Sequence, residues 1–417
     1  MNHFQYVDND LFCEKVAVKD IASQVGTPFY LYSHATLTRH IRGFQESFAS
    51  VPHLVCFSVK ANSNLAVLKI FINNGAGLDI VSGGELYRGL KAGCSADKIV
   101  YSGVGKSARE IREALEAGIL MFNVESPQEL EQINAIAGEM GKKAPVAIRV
   151  NPDVDPQTHP YISTGMKKAK FGINIQEAVQ EYRKAATLPN IEVIGVDCHI
   201  GSQLTKLSPF VDAIEKIRLL VATLQEEGFA IRYLDLGGGL GITYEDETPP
   251  DFDGYAQAII NATKGLNLTL VFEPGRVLTG NAGILVCKVL YTKKGEVKNF
   301  VISDGAMNDL ARPALYGAFQ GILPVDRSQQ DTLVADVVGP ICESGDFFAR
   351  DREIAAFQPG DLLAVTSAGA YGFTMSSNYN SRPRVPEILV KEDQILTVRE
   401  RESYENLIQG ENIPDNL

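Results

Sequence analysis

A chain of 417 residues exceeds the ~250–300 residues at which single cores stop growing, and 45% apolar with 22% charged residues excludes disordered, fibrous and coiled-coil classes. Asp and Glu (51) outnumber Lys and Arg (39), and the net charge of −12, with no basic patch, argues against nucleic acid and anionic membrane as partners. Six scattered cysteines (Cys13, Cys56, Cys94, Cys198, Cys287, Cys342) form no CxxC pair and no metal-ligand spacing, so a reducing, cytoplasmic setting without metal is expected.

The opening residues MNHFQYVDND lack the basic and apolar regions of a secretory leader, and no apolar run reaches ~18 residues, so neither secretion nor membrane spanning is expected. The segment 12–33 contains a strand-like piece. Eight short β-branched or apolar runs follow: 54–59 LVCFSV, 77–82 GLDIVS, 98–102 KIVYS, 119–124 ILMFNV, 145–150 PVAIRV, 193–200 VIGVDCHI, 232–236 RYLDL and 269–273 TLVFE. Helical spacing of apolar residues occupies the gaps, as in 64–74, 107–117 and 208–227. Near-continuous apolar runs suit strands covered on both faces, so the pattern predicts a (β/α)8 TIM-like barrel, with a doubly wound sheet as the alternative. From about residue 280 the texture turns to short alternating strands (284–291, 300–304, 333–338, 361–367, 385–390), predicting a second, mainly antiparallel β-domain. The expected division is 26–278 for the barrel and 1–25 with 279–417 for the β-domain.

Barrel enzymes work at the carboxyl ends of their strands. There the first run ends in Lys60, the sixth in His199, the seventh runs into Gly237–Gly241 with three consecutive glycines, and the eighth ends in Glu273-Pro274-Gly275-Arg276. Lys60 reads either as a lysine snorkelling from a strand end or as a desolvated amine suited to a Schiff base. The glycines suit a tight turn or the close approach of a phosphate, to which Ser202 could add a hydroxyl. His199 has several possible roles, a satisfied buried histidine among them. Glu273 reads as a salt-bridged structural residue, or as a carboxylate keeping a pyridine nitrogen protonated. Arg276 offers a planar fork to a carboxylate or phosphate.

The ordered blocks SVKAN, HIGSQ, GGGLG, EPGR, DGAMNDLARPALY, CESGD and AGAYG, spread over residues 25–380, resemble the diaminopimelate decarboxylases, within the alanine-racemase-like class of pyridoxal-phosphate enzymes. The departures, Cys56-Phe57 and Ser303, do not touch the expected chemistry. The resemblance implies a homodimer with shared active sites, converting meso-diaminopimelate to L-lysine and CO2, the last step of lysine biosynthesis, through a quinonoid. It implies Lys60 carrying pyridoxal 5'-phosphate, His199 on the ring face, Gly238, Gly239 and Ser202 on the phosphate, and Glu273 on the ring nitrogen, with Asp79, Gly275, Arg276 and Tyr371 also at the cofactor. Cys342 would return a proton to Cα. Arg276, Arg312 and Tyr316 would hold the distal carboxylate, Glu343 the distal ammonium, and Tyr371 would also touch substrate. Ornithine or arginine decarboxylases are the nearest rivals, but read a cationic side chain with Asp after the cysteine, where this chain has Glu343. A racemase would face the ring nitrogen with arginine. A non-catalytic regulator should have lost part of the set Lys60, Glu273, the glycines and Cys342, all of which are present.

Overall fold

The computed structural model describes residues 3–155 and 170–417, and the chain forms two compact units, Thr38–Leu278 and Met1–Leu37 with Thr279–Leu417. In the first, eight parallel strands (His53–Ser58, Gly77–Ile80, Ile99–Tyr101, Met121–Val124, Ala144–Asn151, Ile191–Asp197, Tyr233–Asp235, Thr269–Phe272) pair in chain order. The eighth closes on the first, with Leu270 opposite His53 and Phe272 opposite Val55. Helices Leu65–Asn73, Gly83–Lys91, Ala108–Ala117, Pro127–Glu139, Ile175–Thr187, Ser208–Glu226 and Phe252–Thr263 follow the first seven strands. Six of them begin where a polar side chain, Asn64, Ser82, Ser107, Ser126, Asn174 or Asp251, accepts an otherwise orphaned backbone N–H. Each then buries one stripe, such as Ile111, Ala114 and Leu115.

The barrel interior is layered. Cys56, Val100, Met121, Ala147, Ile194 and Val271 pack into an apolar cluster. Side chains alternate along a strand, so two residues on the interior recurs, and there it turns polar: Ser58, Ser102, Asn123, Arg149 and Glu273, joined by Asp79, Asp197 and Asp235.

The second unit is built on a sheet in the order Phe347–Ala355, Thr332–Val338, Asn299–Ser303, Gly283–Lys294, Phe29–Ser33, Glu387–Lys391, Gln394–Arg399, with Leu362–Val365 attached to its long central strand and Ile322–Pro324 paired to Leu362–Val365 in turn. Its pairings are antiparallel except for two. Phe29–Ser33 is the strand expected within 12–33, buried at every position. The boundary drawn at residue 26 falls before it, yet its ladder partners on both sides belong to the β unit. Leu11, Ile21, Phe29, Leu31, Val286, Ile388 and Val390 form the core beneath.

Candidate active site

The first barrel strand ends in a short turn, Val59–Ala61, that carries Lys60. Lys60 Nζ donates to Asp79 Oδ2 at 2.5 Å, and Ser58 Oγ reaches the same oxygen at 2.7 Å. Asp79 is fully buried, and its Oδ1 has no hydrogen-bond partner among the described residues. Glu85, not among the residues expected from the sequence, caps this corner. Its Oε2 accepts Val81 N–H, and burial pushes its carboxyl up to about 7 against the pull of Lys60.

The glycines after the seventh strand are required by contact. A Cβ on Gly237 would lie 2.4 Å from His199 Nδ1, and one on Gly238 2.3 Å from Glu273 O. Gly238 N–H donates to His199 Nδ1 at 3.2 Å, which makes that nitrogen the acceptor of a neutral imidazole. Burial, reinforced by Arg149 and Lys60, holds His199 well below its ordinary pKa and favours the same neutral form. Gly238 N–H is thus spent on His199, whereas Gly239 N–H makes no hydrogen bond among the described residues. Arg276 donates to Ser202 Oγ at 3.1 Å and to Tyr244 Oη at 2.6 Å, so a guanidinium stands beside a hydroxyl next to the glycine loop. Gly275 brings the eighth strand against the first, where a Cβ would meet Ala61 and Ser58 at 2.9 and 3.0 Å.

Glu273 Oε1 accepts from Ser102 Oγ at 3.0 Å and Asn123 Nδ2 at 3.2 Å. No hydrogen bond reaches its Oε2 among the described residues. Burial pushes this carboxyl well up, with Asp235 and Asp79 adding to the shift. Nearby, Arg149 pairs with Glu125 at 2.7 Å and stands 4.0 Å from Asp197. Ser102, Asn123, Arg149, Asp197 and Asp235 join the site beyond the residues expected from the sequence. Polar residues at the ends of otherwise apolar runs were the available signal.

In the β unit, Arg312 and Tyr316 share the short helix Arg312–Tyr316. Arg312 is buried, and Nη1 meets the Gln320 side-chain oxygen at 2.8 Å, with the Gln320 amide turned so that its nitrogen faces Thr366 O. Cys342 is exposed, and its N–H donates to Asn380 Oδ1 at 3.1 Å. Glu343 Oε2 accepts from Tyr379 Oη at 2.8 Å. Asp346 ties this loop to the segment before Arg312, accepting Met307 N–H at 2.7 Å and Ile341 N–H at 2.8 Å. Tyr371 has φ +54°, a left-handed conformation uncommon outside glycine.

Residues 34–280 match the family described as pyridoxal-dependent decarboxylase, pyridoxal binding domain. The barrel and its polar mouth, with that match, define a barrel-type pyridoxal-dependent decarboxylase. The chain is 55% identical over 413 residues to a diaminopimelate decarboxylase of Pseudomonas aeruginosa, covering 99% of each, and 53% identical over 409 residues to one of Haemophilus influenzae, covering 98% of each. Crystal structures of diaminopimelate decarboxylases superpose with TM-scores of 0.95 (M. jannaschii, 39% identity, 99% of this chain and 98% of that one) and 0.91 (Helicobacter pylori, complexed with L-lysine, 42% identity, 94% and 98%). The chain belongs to the diaminopimelate decarboxylase family.

Proposed function

We propose that this chain removes CO2 from meso-diaminopimelate to give L-lysine, using pyridoxal phosphate in the cytoplasm. Two relatives named for that reaction span nearly the whole chain, all six cysteines are free thiols, and no helix among the described residues is long and apolar enough to cross a membrane. The observation that carries the class is Glu273, a buried carboxyl at the barrel mouth with one oxygen pinned and the other meeting no donor among the described residues. The mouth fits the cofactor: a primary amine at Lys60, a carboxyl for the ring nitrogen, and a loop without room for a Cβ beside a hydroxyl and a guanidinium. Lys60 would bind the carbonyl carbon, Glu273 Oε2 the ring nitrogen, Gly239, Ser202 and Arg276 the phosphate, and His199 and Tyr371 the ring surroundings. Gly238 would serve by holding His199.

Pyridoxal phosphate, when bound, supplies the sink for the electron pair released as the carboxylate departs. Asp79 Oδ2 holds the Lys60 ammonium in place and can keep its proton there while the amine exchanges partners. His199, held neutral, would border the cofactor ring without placing a second positive charge beside it. Because the product is L-lysine, the carbon that loses CO2 belongs to the D end. Cys342 Sγ delivers the proton to that carbon. Arg276, Arg312 and Tyr316 read the distal carboxylate at the L end, and Glu343 reads the distal ammonium. In a twofold dimer, Lys60 comes from one subunit and Cys342 with Glu343 from the other. The test supplies purified protein and pyridoxal phosphate with meso-diaminopimelate: equimolar CO2 and L-lysine are expected, whereas inertness there with release from ornithine would overturn the substrate.

A further inference from the structure

Asn123, on the fourth barrel strand, is fully buried. Its Nδ2 lies 3.2 Å from Glu273 Oε1, 3.0 Å from Asp235 Oδ2 and 3.1 Å from Ser102 Oγ. Three surrounding oxygens fix which end of the amide this is, since an amide oxygen there would set its lone pairs against two carboxyl groups. Asp235 is anchored in turn, Oδ1 accepting Gly237 N–H at 2.9 Å. A chain of hydrogen bonds therefore runs from the glycine loop through Asp235 and Asn123 to Glu273, and Ser102 closes on the same Glu273 oxygen.

A glutamate side chain has three rotatable bonds, and leaving it loose would cost orientation at the moment its charge is needed. Both donors meet Oε1, which turns the remaining lone pairs of Oε2 outward. They also favour the ionised carboxyl, against burial and the neighbouring Asp235, which favour the neutral one. We propose that Asn123 is a positioning residue for the reaction: its amide, oriented by Asp235, fixes Glu273 so that Oε2 presents a carboxylate to the ring nitrogen of the cofactor. This rests on the role given to Glu273 above.

Asn123→Leu removes the donor at similar volume. The holoenzyme should keep its cofactor and its KM, while kcat falls about 10- to 100-fold, the worth of a hydrogen bond to a charged group. The nuclear resonance of cofactor labelled at the ring nitrogen should move toward the unprotonated position, in the same direction as in Glu273→Gln. Because Asn123 acts through Glu273, adding N123L to E273Q should cost almost nothing more. Losses that multiply in the double variant, or a resonance that moves in E273Q but not in N123L, would overturn the inference alone. A resonance unmoved in E273Q would remove the ring-nitrogen role and this inference with it. If N123L loses its cooperative melting transition, Asn123→Ser, too short to bridge both carboxyls, is read in its place by the same two outcomes.

Discussion

At the residue scale, the barrel mouth is defined by where charges are allowed to remain. Lys60 has a buried carboxylate partner 2.5 Å away, so its position is set before any ligand arrives. Lys60→Ala should abolish the covalently bound cofactor chromophore, since Lys60 is the amine held by Asp79 at the barrel mouth; chromophore that borohydride fixes to a different lysine would overturn the assignment. Glu343 is exposed and accepts a hydrogen bond from Tyr379 Oη, which it can exchange for one from a ligand. Glu343→Ala should raise KM for diaminopimelate by roughly 10- to 100-fold, as a charged hydrogen bond is lost, and leave cofactor affinity alone; an unchanged KM would make the residue structural. Burial pushes Asp309 up to about 7. The folded state then binds the proton more tightly than the unfolded chain, so this group's stabilisation is present below about pH 4 and drains away as pH rises to about 7. Asp309→Asn should flatten the fall in melting temperature across that window. Parallel slopes for the two proteins would place the titration elsewhere.

At the element scale, the eight barrel strands were legible because strands covered on both faces are written as unbroken apolar runs, and each run lies over its strand. The strand Phe347–Ala355 was not: FFARDREIA puts two arginines, an aspartate and a glutamate where a half-exposed strand tolerates them, and its partner is found 15 residues earlier in Thr332–Val338. Lys60, His199 and Glu273 stood out because they end their runs. Asn123 and Asp235 did not: a polar residue near the end of an apolar run marks them only as candidates, and the hydrogen bonds that give them importance, to residues 112 and 150 positions away from Asn123, leave no local pattern. Helix starts were also written locally. Ser107 and Glu110 form a reciprocal capping box, and Glu110 further accepts Gly83 N–H, which with the cap holds its carboxyl down at about 2. Ser107→Ala should lower stability by about 1 kcal/mol without changing kcat, as read by denaturant midpoint and assay; a kcat loss at intact stability would tie this helix to the site.

At the scale of the whole molecule, the proposed sharing of each site between two subunits predicts the behaviour of mixtures. Lys60→Ala and Cys342→Ala subunits, each inactive, should recover about a quarter of wild-type activity when mixed equally and allowed to exchange: half the dimers are mixed, and each of those has one intact site. Exchange verified by mass with no recovery would mean that one chain builds the entire site.

The sheet of the β unit imposes an order in time. Phe29–Ser33, buried at all five positions, lies between Gly283–Lys294 and Glu387–Lys391. At translation rates of ~5–20 residues per second, the first partner leaves the ribosome roughly 12–50 s after this strand does, and the second later still. For nearly all of that interval a sticky aromatic segment has no ladder to join, and the barrel that follows it in sequence is itself open, because its closing strand Thr269–Phe272 emerges only shortly before Gly283. Synthesis from a shortened message ending before Glu387 would leave the same edge open permanently, so this enzyme depends on its last strands as much for safe passage through the cell as for its shape.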